Sequence, residues 1–312
     1  MNSPKHINYE TRPVKFTERK MLLSSLSKIC NRFNDDYQYI GLGGLSFTDF
    51  KIFHKELHIK EMHSIEGGTF SAEKLKFNSP YSFIKIHKEK TTVALTQIDL
   101  TKKSLIWLDY DGVLDDYMFD DLSILLNKLP IGSIYLISCN RELKNKETGE
   151  LYTIDEFSEK FKNLVPIDLK ETDFSGLEDY KTIRKMFSSF IKKIIKDRNR
   201  NGDDVNFHQL FNILYQENRG ARMFTFGGVI TSNDQDVNDF NLSNFNFITH
   251  NEDVYKIDIP NITFKEFDLI NNHLGDESEL QKLKELNIVT ETDINKYITS
   301  YKYLPVFFDV RI

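Results

Sequence analysis

The sequence predicts an α/β fold in which helices cover both faces of a mostly parallel sheet. From residue 37 onwards a strand, a glycine turn and a helix follow one another, and strands and helices continue to alternate downstream. Residues 104–109 and 132–138 are almost entirely apolar, as is typical of strands buried in the centre of a parallel sheet. The chain has 312 residues, of which 40% are hydrophobic, and this is enough to bury a substantial core.

The elements before residue 140 follow from the spacing of the apolar residues. Helices are predicted where these residues recur every three or four positions, and strands where they form short runs bounded by turn residues. The predicted helices cover residues 17–34, 47–57, 91–98 and 119–129. The predicted strands cover residues 37–44, 61–66, 81–87, 104–109 and 132–138, and the first of these runs into a glycine turn. This alternation is typical of parallel βαβ units.

The second half of the chain begins with a polar segment and then returns to regular elements. Helices are predicted near residues 155–161 and over 178–199, 206–215 and 264–302. Strands are predicted over residues 222–230, 245–248 and 254–259, with a terminal strand or extended tail over 306–310. Gly227 and Gly228 lie inside a predicted strand, where glycines indicate a bulge or a close backbone approach.

These elements predict five regions along the chain. They are an N-terminal helical arm over residues 1–36, a nucleotide-binding half of the core over 37–140, a mainly helical insertion over 141–204, a second part of the core sheet over 205–260 and a helical C-terminal extension over 261–312. The glycines and acids with the greatest functional interest fall in the second region.

Composition excludes several classes of protein. The net charge of −6 disfavours a general nucleic-acid binder. No run of about 18 apolar residues predicts a membrane span, and the polar first 20 residues do not resemble a signal peptide. Cys30 and Cys139 are far apart and in no metal-binding spacing, which indicates two reduced thiols. We therefore expect a cytoplasmic protein.

The first candidate site is the glycine turn after the first predicted strand. Gly41, Gly43 and Gly44 would let a ligand approach the backbone, and the following helix offers N–H groups at its start. Glu66 ends the next strand 22 residues after Gly44, in the position of an acid that binds ribose hydroxyls, and Gly67 follows it. The alternative is a structural tight turn and a surface glutamate, and spacing alone leaves both open.

The second candidate site follows the apolar strand at residues 104–109. Asp109 and Asp111 are two positions apart, so both side chains lie on one side of the strand end. Such a pair can share a divalent cation, a proton or a substrate hydroxyl, and one of the carboxylates can act as a general base. The alternative is a loop whose acids cap the next helix.

The segment Leu-Asp109-Tyr-Asp111-Gly112-Val-Leu resembles the first motif of haloacid-dehalogenase phosphatases. That resemblance implies a nucleophile at Asp109 and a general acid at Asp111, and Ser138 matches the second motif of the family. The motif normally opens the phosphatase fold, however, whereas here about 100 residues of α/β pattern precede it. A late acidic metal motif after a strand is also missing from the sequence.

A second resemblance covers more of the chain. The matching segments are Arg12-Pro-Val-Lys-Phe-Thr-Glu-Arg-Lys-Met, Tyr39-Ile-Gly-Leu-Gly-Gly-Leu-Ser-Phe-Thr-Asp-Phe, Met62-His-Ser-Ile-Glu, Ile106-Trp-Leu-Asp-Tyr-Asp-Gly, Ser138-Cys-Asn, Ala221-Arg-Met-Phe-Thr-Phe-Gly-Gly-Val and Tyr301-Lys-Tyr-Leu-Pro. Together they resemble class I S-adenosylmethionine-dependent methyltransferases, and within these a bacterial group of O-methyltransferases. The resemblance implies a Rossmann-like methyltransferase fold with S-adenosylmethionine at the strand ends.

Carried over residue by residue, this resemblance assigns roles to both candidate sites. It implies that Gly41, Gly43 and Gly44 approach the methionine moiety, that Glu66 holds the ribose, and that Asp109 and Asp111 face the methyl donor. The turn departs from the family pattern because Tyr39 and Ile40 stand where an acid usually precedes the glycines. No Asn-Pro-Pro-aromatic signature follows the aspartate strand, which disfavours methylation of a base nitrogen and leaves the methylated substrate open. The resemblance implies oxygen on a small molecule or polymer as the expected acceptor.

Four further polar residues are candidates for binding an anionic substrate. These are Arg12, Lys15, Arg19 and Asn140. For the three basic residues, the alternative is the solvated face of an amphipathic helix. A third class of function also stays open: a non-catalytic, nucleotide-binding effector of a bacterial defence system that keeps the methyltransferase fold.

Overall fold

The computed structural model describes residues 12–34, 36–218 and 220–305, and within these ranges it contains one eight-stranded sheet. The strands are β1 (Gln38–Gly41), β2 (Glu61–Ile65), β3 (Ile84–His87), β4 (Ser104–Val113), β5 (Ile134–Asn140), β6 (Asn206–Gln216), β7 (Arg222–Thr231) and β8 (Tyr255–Lys256). Their order across the sheet is β3-β2-β1-β4-β5-β7-β6-β8. The predicted α/β class is therefore confirmed.

Most neighbouring strands are parallel, and β7 is the exception among the described strands. It runs antiparallel to both β5 and β6, while β1 through β5 pair in parallel. The chain builds the sheet outward from β1 to β3 and then returns to place β4 on the other side of β1. This reversal is the point in an open α/β sheet where a crevice forms at the carboxyl ends of the strands.

Helices pack on both faces of the sheet, as the sequence predicts. The described ranges contain α1 (Pro13–Phe33), α2 (Thr48–Leu57), α3 (Ala72–Asn78), α4 (Thr91–Gln97), α5 (Tyr117–Leu126), α6 (Ile154–Phe161), α7 (Glu178–Arg200), α8 (Phe264–Asn272), α9 (Glu277–Glu285) and α10 (Glu291–Ser300). Leu22 of α1 and Phe50 of α2 belong to one buried cluster with Trp107 of the sheet. Leu122 of α5 and Phe187 of α7 belong to a second cluster on the other face.

One element was predicted with the wrong secondary structure. Residues 206–215 were expected to be helical, but they form β6, which pairs with β7 on one side and β8 on the other. Phe211 and Leu214 are buried on opposite faces of the sheet. A strand buried on both faces has apolar residues at nearly every position, so its spacing does not distinguish it from a buried helix.

Smaller differences between the prediction and the structure concern one predicted strand and one helix that was not predicted. Residues 245–248 form only an isolated bridge between Ile248 and Phe211 rather than a strand, and α3 was not predicted. The predicted helical stretch over 264–302 divides into α8, α9 and α10, which share a small core of their own. The strand or tail predicted over 306–310 lies outside the described residues. None of the helices in the described ranges has the length and apolar character that a membrane crossing requires.

The glycine pair in β7 has a structural explanation. A Cβ atom on Gly227 would lie 2.2 Å from the carbonyl oxygen of Tyr135, and one on Gly228 would lie 1.9 Å from that of His208. The backbones of β5 and β6 therefore approach β7 too closely for any side chain at these two positions. This confirms the close backbone approach that the sequence indicated.

Candidate active site

A cavity of about 920 Å³ opens at the carboxyl edge of the sheet, beside the point where the strand order reverses. The turn after β1, the end of β2, the start of α4 and the end of β4 all contribute to its wall. The predicted site residues that line it are Gly43, Gly44, Glu66, Gly67, Asp109 and Asp111. The other predicted residues, which do not line it, are Gly41, Arg12, Lys15, Arg19 and Asn140.

The glycine turn exposes its backbone to the cavity. Gly44 has a positive φ of 56°, a conformation that glycine adopts without steric cost. A Cβ atom on Gly43 would lie 2.4 Å from the Ser64 hydroxyl and 3.0 Å from the Phe47 ring. Helix α2 begins directly after this turn, at Thr48. The turn thus brings main-chain N–H groups and a helix start to the cavity wall, an arrangement suited to a polar ligand.

The Glu66 carboxylate lies against the glycine turn on the cavity wall. It accepts a hydrogen bond from the Gly44 N–H, so the two parts of the predicted site meet directly. Burial raises the pKa of Glu66, while the N–H groups of Gly44 and Gly43 and the charge of Lys88 oppose that rise. A buried carboxylate with backbone donors beside it can accept hydrogen bonds from ligand hydroxyls, as the sequence analysis expected of this residue.

Gly41 has a different environment from the other two glycines of the turn. It is the last residue of β1, and a Cβ atom here would lie 2.3 Å from the Tyr39 hydroxyl oxygen. Tyr39, which stands where the sequence resemblance implies an acid, is buried between Phe50 and Phe53. Gly41 therefore makes room for a core tyrosine, and this residue does not approach the cavity itself.

The two aspartates at the end of β4 line the same cavity but differ in exposure. Asp109 is half-buried overall and its side chain is 9% exposed, whereas Asp111 is exposed. Tyr110 lies between them, belongs to the core of the opposite face and donates a hydrogen bond to the buried Asp121 at 2.6 Å. Both carboxylates therefore line the cavity, and Tyr110 borders it as well while its hydroxyl bonds to Asp121.

Lys15 was a candidate either for binding an anionic substrate or for a solvated helix face, and the structure places it elsewhere. Its side chain is 1% exposed, and its ammonium contacts both Asp109 carboxylate oxygens at 2.9 Å. It also forms an ion pair with Glu18 at 2.7 Å and donates a hydrogen bond to the Tyr215 hydroxyl at 2.9 Å. The reason is that α1 packs against the sheet with this face inward, so that Lys15 is a buried partner of Asp109.

The other three anion candidates also have partners within the protein, and for Arg19 that partner, Asp49, lines the cavity. The Arg19 guanidinium is buried and contacts the Asp49 carboxylate at 2.5 Å. Arg12 lies 3.8 Å from the Glu217 carboxylate. The Asn140 side chain accepts a hydrogen bond from the Glu142 N–H at 3.0 Å, beyond the end of β5. None of these three residues lines the cavity.

Sequence reasoning missed several residues of the cavity wall. Asp49 and Lys51 come from the first turns of α2, Thr92 from the start of α4, and Phe70 and Tyr117 from loop and helix-start positions. The one available signal was positional, because residues just after the glycine turn begin the helix that faces the ligand. The aromatic residues Phe70 and Tyr117 lie in segments whose sequences show no recognisable motif.

Neither a metal centre nor the phosphatase resemblance gains support from this geometry. In the described ranges, no group of three or more His, Cys, Asp or Glu side chains could hold a metal ion. The Lys15 ammonium contacts both oxygens of Asp109, the expected phosphatase nucleophile. Ser138 is buried, with its hydroxyl accepting from the Trp107 indole at 2.9 Å and lying 2.7 Å from that of Thr225.

Comparison with known proteins adds a family match over nearly the whole chain. A family model described as "Putative O-methyltransferase" matches residues 7–312. Among curated proteins, none matches the sequence.

Several solved methyltransferase structures are similar at low sequence identity. The plantazolicin methyltransferase BamL, solved with a triazolic desmethylPZN analog and SAH, has 11% identity and a TM-score of 0.40 over 69% of this chain and 85% of that chain. The N-methyltransferase NodS from Bradyrhizobium japonicum WM9, solved with SAH, has 10% identity and a TM-score of 0.39 over 68% and 85%. Trm1 from Pyrococcus horikoshii, solved with S-adenosyl-L-methionine, has 10% identity and a TM-score of 0.42 over 69% and 56%.

Proposed function

The chain belongs to the O-methyltransferase family whose model spans residues 7–312, and from this premise we propose that it transfers a methyl group from S-adenosylmethionine to an oxygen atom. One observation supports the proposal most directly. The Gly43-Gly44 turn, the Glu66 carboxylate and the Asp109 and Asp111 pair line a single cavity at the carboxyl edge of the sheet. Ligands of open α/β sheets bind at this edge, beside the reversal in strand order.

The side chains and main-chain groups of the cavity suit the chemical groups of this cofactor. Gly43 and Gly44 allow close approach to the main chain because neither carries a Cβ atom. Glu66 is a buried hydrogen-bond acceptor for ribose hydroxyls, and Phe70 offers an apolar ring to a purine. The volume of about 920 Å³ is near the upper end of the range for ligand sites, which leaves space for part of an acceptor.

S-adenosylmethionine, when bound, supplies an electrophilic methyl group on a sulfonium. The protein must orient the acceptor oxygen and remove or share its proton. Asp111 suits that role because it is exposed on the cavity wall. We propose Asp111 as the carboxylate that hydrogen-bonds the acceptor hydroxyl and accepts its proton.

The acceptor is proposed to be a hydroxyl on a small molecule or polymer. A nucleic acid is disfavoured, because the net charge is −6 and the cavity wall carries four acids against two lysines, Asp49, Glu66, Asp109 and Asp111 against Lys51 and Lys90. The proposed location is the cytoplasm, which suits the free thiols of Cys30 and Cys139. The effector alternative gains no support from the comparisons.

Two measurements test the proposal. Calorimetry should detect saturable binding of S-adenosylmethionine and of S-adenosylhomocysteine. Transfer of a radiolabelled methyl group into fractionated bacterial extract should then identify an acceptor. For that acceptor, Asp111→Asn is expected to lower turnover about 100-fold or more without changing cofactor affinity. Asp120→Asn is the matched control, because Asp120 is exposed on the next helix and outside the cavity. Absence of cofactor binding at millimolar concentration would contradict the proposal.

A further inference from the structure

Helix α1 supplies a buried cation to the candidate active site. The Lys15 ammonium lies 2.9 Å from each carboxylate oxygen of Asp109, 2.7 Å from Glu18 and 2.9 Å from the Tyr215 hydroxyl. It also lies 4.4 Å from the centre of the Trp107 ring. The side chain is 1% exposed, so these contacts form in an environment from which water is largely excluded.

The N–H donors of the Lys15 ammonium are directed at buried groups of the protein. An ammonium group has three N–H donors, and here four oxygens, two from Asp109 and one each from Glu18 and Tyr215, lie within 2.9 Å of it. The Trp107 ring covers a further side of the group. Lys15 therefore acts through Asp109, its only partner on the cavity wall among these four residues.

The partners of Lys15 are themselves held by the sheet. Glu18 is fully buried and accepts a hydrogen bond from the Thr225 hydroxyl on β7. Thr225 in turn lies within hydrogen-bond distance of Ser138 on β5, and the Trp107 indole donates to Ser138. This chain of contacts connects α1 to β4, β5 and β7, so Lys15 has little freedom to move away from Asp109.

We propose that Lys15 is the residue that positions Asp109 in the cavity, and that α1 thereby contributes a positioning residue to the methyl-transfer site. The ammonium fixes both carboxylate oxygens of Asp109 and provides the counter-charge that a buried carboxylate needs. The inference rests on the proposed function, since it assumes that Asp109 faces bound S-adenosylmethionine.

The experiment is a double-mutant cycle on cofactor affinity, measured by calorimetry. It compares the unsubstituted protein with Lys15→Met, Asp109→Asn and the double variant, with Lys20→Met as the control because Lys20 is exposed on the same helix. Each single substitution is expected to weaken S-adenosylmethionine binding about tenfold, and the double variant to bind no more weakly than either. A purely structural lysine would instead give losses that add.

A second readout does not depend on the cofactor. Trp107 is the sole tryptophan of the sequence, and the Lys15 ammonium lies against its ring. Lys15→Met is therefore expected to shift the fluorescence emission of the folded protein, and Lys20→Met to leave it unchanged. If Lys15→Met does not fold, the same cycle is run in the Glu18→Gln background, in which Lys15→Met removes the cation after its second acidic partner has already been neutralised.

The outcomes separate this inference from the proposed function. If the unsubstituted protein does not bind S-adenosylmethionine, both fail. If it binds, but the losses of Lys15→Met and Asp109→Asn add in full, or Lys15→Met leaves affinity within about twofold, the positioning role alone is overturned. Non-additive losses together with a shifted Trp107 emission support it.

Discussion

Replacement of Glu66 by glutamine isolates the contribution of one charge to cofactor binding. The side chain keeps its size and one carbonyl oxygen, so it can still accept the hydrogen bond from the Gly44 N–H. The shape of the glycine turn should therefore be retained. What is lost is the negative charge that we propose accepts hydrogen bonds from the ribose hydroxyls.

The expected magnitude follows from the strength of a charge-assisted hydrogen bond. Such a bond contributes about 1.5–3 kcal/mol, which corresponds to about a 10- to 150-fold loss of affinity for S-adenosylmethionine. The stability of the folded protein should not fall with the cofactor affinity. Because burial raises the pKa of Glu66, its ionised form is disfavoured in the folded protein, and stability is lost as pH rises through that pKa. At pH 7, Glu66→Gln is thus expected to unfold at an equal or higher denaturant concentration.

The assay is isothermal titration calorimetry at pH 7, with denaturant unfolding measured on the same samples. Glu61→Gln is the matched control, because Glu61 begins the same strand and pairs with Lys102 and Lys85 at the surface. We expect the control to keep the affinity of the unsubstituted protein. Equal dissociation constants for Glu66→Gln and Glu61→Gln would refute the assignment of Glu66 to the ribose.

Three further predictions concern the turn, the sheet and pH. Gly43→Ala places a Cβ atom 2.4 Å from the Ser64 hydroxyl, so we expect calorimetry to show cofactor binding at least about tenfold weaker. Gly228→Ala places one 1.9 Å from the His208 carbonyl oxygen and should lower the free energy of unfolding by about 1–3 kcal/mol in a denaturant titration; an unchanged midpoint would contradict the close packing of β6 and β7. Burial, aided by the neighbouring His87, lowers the pKa of His63 to about 4, so the unfolded chain takes up a proton first as pH falls. Stability should therefore decrease from about pH 6.5 to pH 4, by an amount on the order of 3 kcal/mol, and His63→Gln should remove that part of the pH dependence.

Much of the fold could be predicted from local sequence patterns. Apolar runs with glycine or acidic ends predicted β1, β2, β4 and β5, and 3.6-residue spacing predicted α1, α2, α5 and α7. The same logic failed at β6, because a strand covered on both faces and paired on both edges has no alternation to reveal it. Only its pairing with β7 and β8 distinguishes it from a helix.

Part of the candidate site could also be predicted from the sequence. Parallel strands end at the same edge of the sheet, so the sequence predicts that Gly43, Gly44 and Glu66 meet Asp109 there. Gly41 could not be separated from its neighbours, because the Tyr39 ring that occupies the space beside it is a matter of packing.

The sequence by itself determined the class of the fold, the strand edge at which the cavity forms and part of its lining, namely Gly43, Gly44, Glu66, Gly67, Asp109 and Asp111. Only the tertiary structure decided what Lys15 does. Its partners Asp109 and Tyr215 lie 94 and 200 residues away in the chain, and no local pattern records such contacts. From the sequence, Lys15 is one of several basic residues on an N-terminal helix, equally suited to solvent or to an anion. Packing of α1 against the sheet buries its charge, and a buried ammonium must be paired with acids. The charge that the sequence assigned to either solvent or a substrate anion therefore pairs with an aspartate of the protein itself.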